Sequence, residues 1–152
     1  MRELIHITKA LSDPNRVRIV LALREGELCV CQLQQLLGLA TSTTSKHLSV
    51  LGQAGLVEFR KEGRWAYYRL GGDGESPAVE EILGWVLRHA AGDREVVRDR
   101  QRLAEILTYS PEELCHLIAS GQECCSSTAD APAPARRRQA VGALEKNAGR
   151  AC

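Results

Sequence analysis

TSTTSKHLSVLGQAGLVEFRKEGRWAYYRL, residues 41–70, changes its periodicity half-way along. The first half sets Leu48 and Leu51 on one face and opens on five consecutive hydroxyl residues, Thr41 to Ser45. That pattern predicts a helix from about Thr41 to Gln53, with Thr41 or Ser42 as its cap and Gly55 as its stop. The second half alternates. Leu56-Val57-Glu58-Phe59-Arg60 is strand-like, Lys61-Glu62-Gly63-Arg64 is a turn, and Trp65-Ala66-Tyr67-Tyr68-Arg69-Leu70 is rich in β-formers. A hairpin with a basic tip directly after a polar helix is the order of a winged helix.

Upstream, Val30–Leu37 forms a short helix with Leu33, Leu36 and Leu37 inward, and Gly38-Leu39-Ala40 makes a tight turn into the helix at 41. Two helices on a short glycine-containing turn make a helix-turn-helix. Further back, Leu4, Ile5, Ala10 and Leu11 mark a first helix. Asp13 then caps a second, with Pro14 at its first position and an apolar face of Val17, Ile19, Val20, Leu21 and Leu23 up to Arg24. Downstream, Ser76-Pro77 opens a fifth helix carrying Val79, Ile82, Leu83, Val86 and Leu87. A charged helix follows Gly92-Asp93 to about Thr108, and Ser110-Pro111-Glu112-Glu113 is a capping box for a last helix ending near Gly121. The expected class is mostly α with a β-hairpin wing (α+β). Residues 1–91 are the winged helix-turn-helix domain, 92–126 a helical extension with a cysteine pair, and 127–152, rich in Ala, Pro, Ser and Arg, a disordered tail.

The charge distribution points to a partner. The whole chain is only +1, but residues 41–69 hold five cations (Lys46, Arg60, Lys61, Arg64, Arg69) against Glu58 and Glu62. A local basic face suits phosphate contact. Thr41, Ser42, Thr43, Ser45, Lys46 and His47 are the candidate groove-reading residues, and Arg60, Lys61 and Arg64 the candidate wing contacts on double-stranded DNA. Capping alone accounts for one or two of the hydroxyls. Whether Arg136-Arg137-Arg138 touches DNA stays open.

No apolar run is long enough to span a membrane, and Met1-Arg2-Glu3-Leu4 lacks the features of a signal peptide. The expectation is a cytoplasmic protein. There its six cysteines stay reduced, which favours metal or redox roles over structural disulfides. Cys29 and Cys31 would point about 200° apart in mid-helix, so they chelate together only if Cys29 precedes the helix or the first turn is distorted. A helix N-terminus favours the thiolate. The plain alternative is two small buried core residues.

At these residues the chain resembles the ArsR/SmtB family of metal-responsive repressors. The matching stretches are Leu11-Ser12-Asp13-Pro14-Asn15-Arg16, Glu27-Leu28-Cys29-Val30-Cys31, Thr44-Ser45-Lys46-His47-Leu48 and Gly63-Arg64-Trp65-Ala66-Tyr67-Tyr68-Arg69-Leu70, covering about residues 2–91. The resemblance implies a homodimer with the first and fifth helices at its interface. It implies an imperfect palindrome upstream of a resistance operon, and release of DNA when an effector binds. It also implies thiol ligands at Cys29 and Cys31. Where such arsenite sensors often carry a third cysteine, this chain has Gln34.

Arsenite takes three thiolates in a pyramid. Cys124 and Cys125 are the first candidates for the third, with Cys115 behind them and Cys152 incidental. The family's zinc site in the fifth helix is missing: His89 has only Ala78 and Ser76 at the positions of its partners, and His6, His47 and His116 form no ligand-spaced cluster. Arsenite is therefore the expected regulatory ligand, with Cd(II) or Pb(II) on four thiolates as alternatives. Thiol redox or reactive-sulfur sensing on the same fold is another, and a cysteine-based metal carrier is a reading of a different class. No nucleophile with a nearby base and no phosphate loop is found, so neither an enzyme nor a small-molecule substrate is expected.

Overall fold

The computed structural model describes residues 1–72, 74 and 76–120. Seven α-helices are described: α1 (Arg2–Leu11), α2 (Pro14–Ala22), α3 (Val30–Leu37), α4 (Thr41–Gln53), α5 (Pro77–His89), α6 (Arg94–Ile106) and α7 (Pro111–Ala119). The strands are β1 (Leu28–Cys29), β2 (Val57–Glu62) and β3 (Trp65–Leu70), in an antiparallel sheet of order β1-β3-β2. Among the described residues no helix is long and apolar enough to cross a membrane.

The Ser-Asp-Pro-Asn-Arg run closes one helix and opens the next. Asp13 accepts from the amides of Asn15 (2.8 Å) and Arg16 (3.3 Å), capping α2. Arg16 reaches back to the carbonyls of Ala10 (2.5 Å) and Lys9 (2.9 Å) at the end of α1, the latter also accepting from Ser12. The second helix is shorter than its apolar run predicts: α2 ends at Ala22 and tightens into a 3₁₀ turn over Leu23–Glu25.

The helix-turn-helix stands as read. Gly38 ends α3 in the left-handed conformation (φ 67°), where a side chain would be strained. The cap of α4 is a correction: the residue is Ala40, with no side-chain cap, because Thr41 is already inside the helix and turned to α3. In the wing, Glu62 pairs with Trp65, so the turn is only Gly63-Arg64. Gly63, at φ 60°, takes the positive dihedral that such tight hairpins demand.

One strand went unread. Leu28 pairs with Tyr68 and Cys29 with Tyr67, so the segment before α3 is the third strand of the wing sheet. Two residues are too few for an alternating pattern to show.

A single core joins all seven helices. Ile7, Ile19, Leu33, Leu36, Leu51 and Leu56 sit at its centre, and α6 and α7 add Val96, Leu103, Ile106, Leu114, Cys115 and Ile118. A bidentate pair fastens α6 to α2: Arg18 donates to both carboxylate oxygens of Asp99, at 2.6 and 2.8 Å, with both side chains largely buried. This geometry fixes the register between helices rather than adding much stability.

Candidate functional site

Two sites emerge, both built against α3. The first is the outer face of α4 and the wing. Ser42, Ser45 and Lys46 are exposed, and Thr43 and His47 half-buried, on the side away from the core. Thr44 turns inward, fully buried, with its hydroxyl on the Ala40 carbonyl at 3.2 Å. Thr41 donates to Oε1 of Gln34 at 2.7 Å, tying the first turn of α4 to α3. Of the five hydroxyl residues, then, Thr41 and Thr44 serve the packing, and Ser42, Thr43 and Ser45 are left to face outward.

The wing arginines are engaged with acids. Arg60 donates to Glu27 (2.8 and 3.0 Å) and to Glu62, and its guanidinium lies 5.0 Å over the Tyr67 ring. Arg60 holds the Glu27 carboxyl below the usual carboxylate range. Arg64 reaches Glu112 in the first turn of α7 at 3.0 Å and stacks on Trp65. Lys61 is exposed, with no acidic partner among the described residues.

The second site is buried. Cys29 is the N-cap of α3, in extended conformation (φ −80°, ψ 161°), outside the helix, which is the condition under which it converges with Cys31. Its amide donates to Oε1 of Gln32 at 2.9 Å, and its sulfur takes the amide of that same residue, closing a capping box. Cys31, one residue into the helix, lies 2.7 Å from Cys115 of α7, a contact across 84 residues.

The thiols share their protons unequally. Hydrogen bonds from the Cys31 thiol and from the first amides of α3 hold Cys29 below the ordinary thiol range. Its partner Cys31, giving its proton to Cys29, buried and beside Cys115, is pushed well above that range. The result is a thiolate-prone Cys29 beside a protonated Cys31. Among the described residues no three donors are arranged as a closed metal cage. The donor chemistry suits a thiophilic centre, and closing on one requires the sulfurs to move together. Cys124, Cys125 and Cys152 lie outside the described residues.

Known proteins resemble this chain in sequence and in fold. The family model for the bacterial regulatory proteins of the arsR family matches residues 13–58, from the α2 cap to the start of β2. The chain is 45% identical over 112 residues to the arsenic resistance transcriptional regulator ArsR1 of Pseudomonas putida, covering 70% of this chain and 84% of that protein. It belongs to the ArsR family. Members of this family are transcriptional repressors, not enzymes. This repressor is also 46% identical over 67 residues to the arsenical resistance operon repressor of Escherichia coli, covering 43% of this chain and 57% of that one. With the cadmium resistance regulator CadC homolog of Staphylococcus aureus it shares 41% over 78 residues, covering 51% of this chain and 64% of that protein. HlyU from Vibrio cholerae superposes on 57% of the repressor and 90% of its own chain at 31% identity, TM-score 0.50. A possible transcriptional regulatory protein from Mycobacterium bovis does so on 59% and 91%, at 31% identity and TM-score 0.51.

His89 contacts the Trp85 carbonyl (2.9 Å) and stacks on its ring, a local arrangement at the end of α5. Sequence reasoning missed Glu27 and Glu112 as partners of the wing arginines. Neither acid has a neighbour in sequence that records which arginine it will meet.

Proposed function

We propose that this repressor binds operator DNA as a homodimer and releases it when arsenite is taken up by Cys29, Cys31 and Cys115 of one chain. The observation that carries the reading is Cys115 against Cys31 beside the N-cap Cys29. It supports a third thiol from α7, which moves Cys115 ahead of Cys124 and Cys125. Three sulfurs match the pyramidal demand of arsenite better than the four thiolates that suit Cd(II) or Pb(II). Relatives named for arsenic and for cadmium support a thiophilic ion in general.

Thr43, Ser42, Ser45, Lys46 and His47 are the groove-reading residues, with Lys61, Arg60 and Arg64 on the backbone and Thr41 as a support. The dimer is supported by exposed Leu4 and Ile5 on α1 and Trp85 on α5, large apolar groups that the monomer leaves in water. Arsenite that binds all three sulfurs draws Cys29, the N-cap of α3 and a residue of the wing sheet, towards α7. Strain there reaches α4 through Thr41–Gln34 and the wing through β1. The coupling is reciprocal, so arsenite binds the DNA complex more weakly than the free protein.

Fluorescence anisotropy on the repressor's own upstream DNA, reduced, with parallel arsenite, Cd(II) and Zn(II) titrations, tests this. Selective release by arsenite supports the reading, and equal arsenite affinity with and without DNA refutes it. The short Cys31–Cys115 contact favours one other reading: a peroxide-class oxidant joins these two thiols as a disulfide, its O–O bond breaking as it takes up their two electrons and two protons to leave as water and an alcohol, or as two waters. Release by oxidant without metal, reversed by a dithiol, would select it.

A further inference from the structure

Each half of the thiol site shares a short segment with a carboxylate that grips a wing arginine. Glu27 stands two residues before Cys29 and holds Arg60 at 2.8 Å. Glu112 stands three residues before Cys115, one helical turn away on α7, and holds Arg64 at 3.0 Å. The carboxylates are exposed, Glu27 just before β1 and Glu112 in the first turn of α7, whereas the sulfurs are buried. The remaining wing-tip cation, Lys61, has no such partner among the described residues. Two independent segments thus repeat one arrangement: a cysteine inside and, within a turn, an acid on a wing arginine.

We propose that Glu27 and Glu112 are positioning residues for DNA release, competing with the DNA backbone for Arg60 and Arg64 and holding them when the thiol site is occupied. An arginine fork pairs with one carboxylate or one phosphate in the same geometry, so the two partners exclude each other. In the free protein α7 is held to α3 by apolar packing and a thiol contact. A ligand bonded to Cys31 and Cys115 anchors the first turn of α7, and with it Glu112, over the wing. A ligand bonded to Cys29 does the same for Glu27 through β1. This inference rests on the reading above, in which the thiols take arsenite and the wing meets DNA.

The test is a double-mutant cycle in the full chain: wild type, E112Q, R64A and E112Q/R64A, with anisotropy on upstream DNA over a salt series, with and without sodium arsenite. Near-ultraviolet absorbance of the arsenic–thiolate bonds reports ligand uptake separately. Without arsenite, E112Q is expected to bind DNA about two- to fivefold tighter, the range of an exposed ion pair. Its salt slope should steepen, by at most about one unit. Release by arsenite should shrink by the same factor, with absorbance unchanged. In the R64A background E112Q should change nothing, and E27Q should show the same pattern through Arg60 more weakly, because Glu62 still holds that guanidinium. An E112Q effect of equal size in R64A would overturn the proposal as a general charge effect. So would an unchanged release ratio with normal arsenite uptake. If the wild type takes up no arsenite, or takes it up without release, the thiol reading itself fails and the coupling with it.

Discussion

The DNA-reading face and the thiol site flank the same helix, yet they are built by opposite means. The reading face is made of consecutive residues, polar and exposed, on elements joined by turns of two or three residues. The thiol site joins a strand end, a helix N-terminus and a helix more than 80 residues away, and it is buried. The first needs only local structure to be in place. The second exists only while α6 and α7 hold to the core. The sensing site is therefore the one that disturbances of packing should remove first, and the experiments below separate the two faces on that basis.

The largest effect is expected from Leu103→Ala. Leu103 is 2% exposed on α6, and truncating such a leucine costs about 2–5 kcal/mol through lost transfer energy and the cavity left. Urea unfolding should show one transition moved to lower midpoint if α6, α7 and the winged helix unfold together. Two separate transitions would show that the extension is an independent unit, and the comparison would then lie between domains rather than faces.

Next is Cys115→Ser. Loss of even an outer-shell partner typically costs a metal site 10–100-fold, so loss of a sulfur should weaken arsenite on the order of 100-fold or more. DNA affinity without arsenite should stay within about twofold, since serine is close in volume and α7 does not carry the reading residues. Titration by absorbance and by anisotropy reads both. Unchanged arsenite affinity would hand the third ligand to Cys124 or Cys125.

How much of this was legible follows the same divide. The helix-turn-helix, the wing and the capping residues Asp13 and Ser110 can all be read from neighbours in sequence, because turns, caps and periodicity are short-range effects. So can the convergence of Cys29 with Cys31, once Cys29 is placed before the helix. The partnership of Cys31 with Cys115 cannot, since nothing near residue 115 records which surface α7 will cover. Arg64–Glu112 and Arg18–Asp99 escaped for the same reason. Thr44, not among the groove-reading candidates, is the hydroxyl residue of that run that the helical repeat turns into the core.

Lys46→Ala acts on the other face. Lys46 is an exposed cation near the start of α4. If it meets a phosphate, its loss weakens binding on all sequences alike and lowers the salt slope by about one. Arsenite affinity of the free protein should not move, the mirror image of Cys115→Ser. A slope that stays constant while one operator half-site loses preference would make Lys46 a base contact instead.

The smallest effect falls on the joint between the faces. Gln34 holds the position where related arsenite sensors often carry a third cysteine, and here its amide oxygen accepts from Thr41 at 2.7 Å. The side chain thus serves the reading helix rather than the ligand. Removing it in Gln34→Ala forfeits a part-buried neutral hydrogen bond, about 0.5–1.5 kcal/mol. The informative quantity is where that loss appears. If the bond only steadies α4, the melting temperature falls and DNA affinity drops by the same factor with and without arsenite. If the bond carries strain from α3 to the reading helix, the ratio of the two affinities shrinks, because the thiol site has lost its grip on α4. A shrunken ratio here together with an unchanged one in E112Q would make this bond, and not the wing carboxylates, the route by which the buried face governs the exposed one.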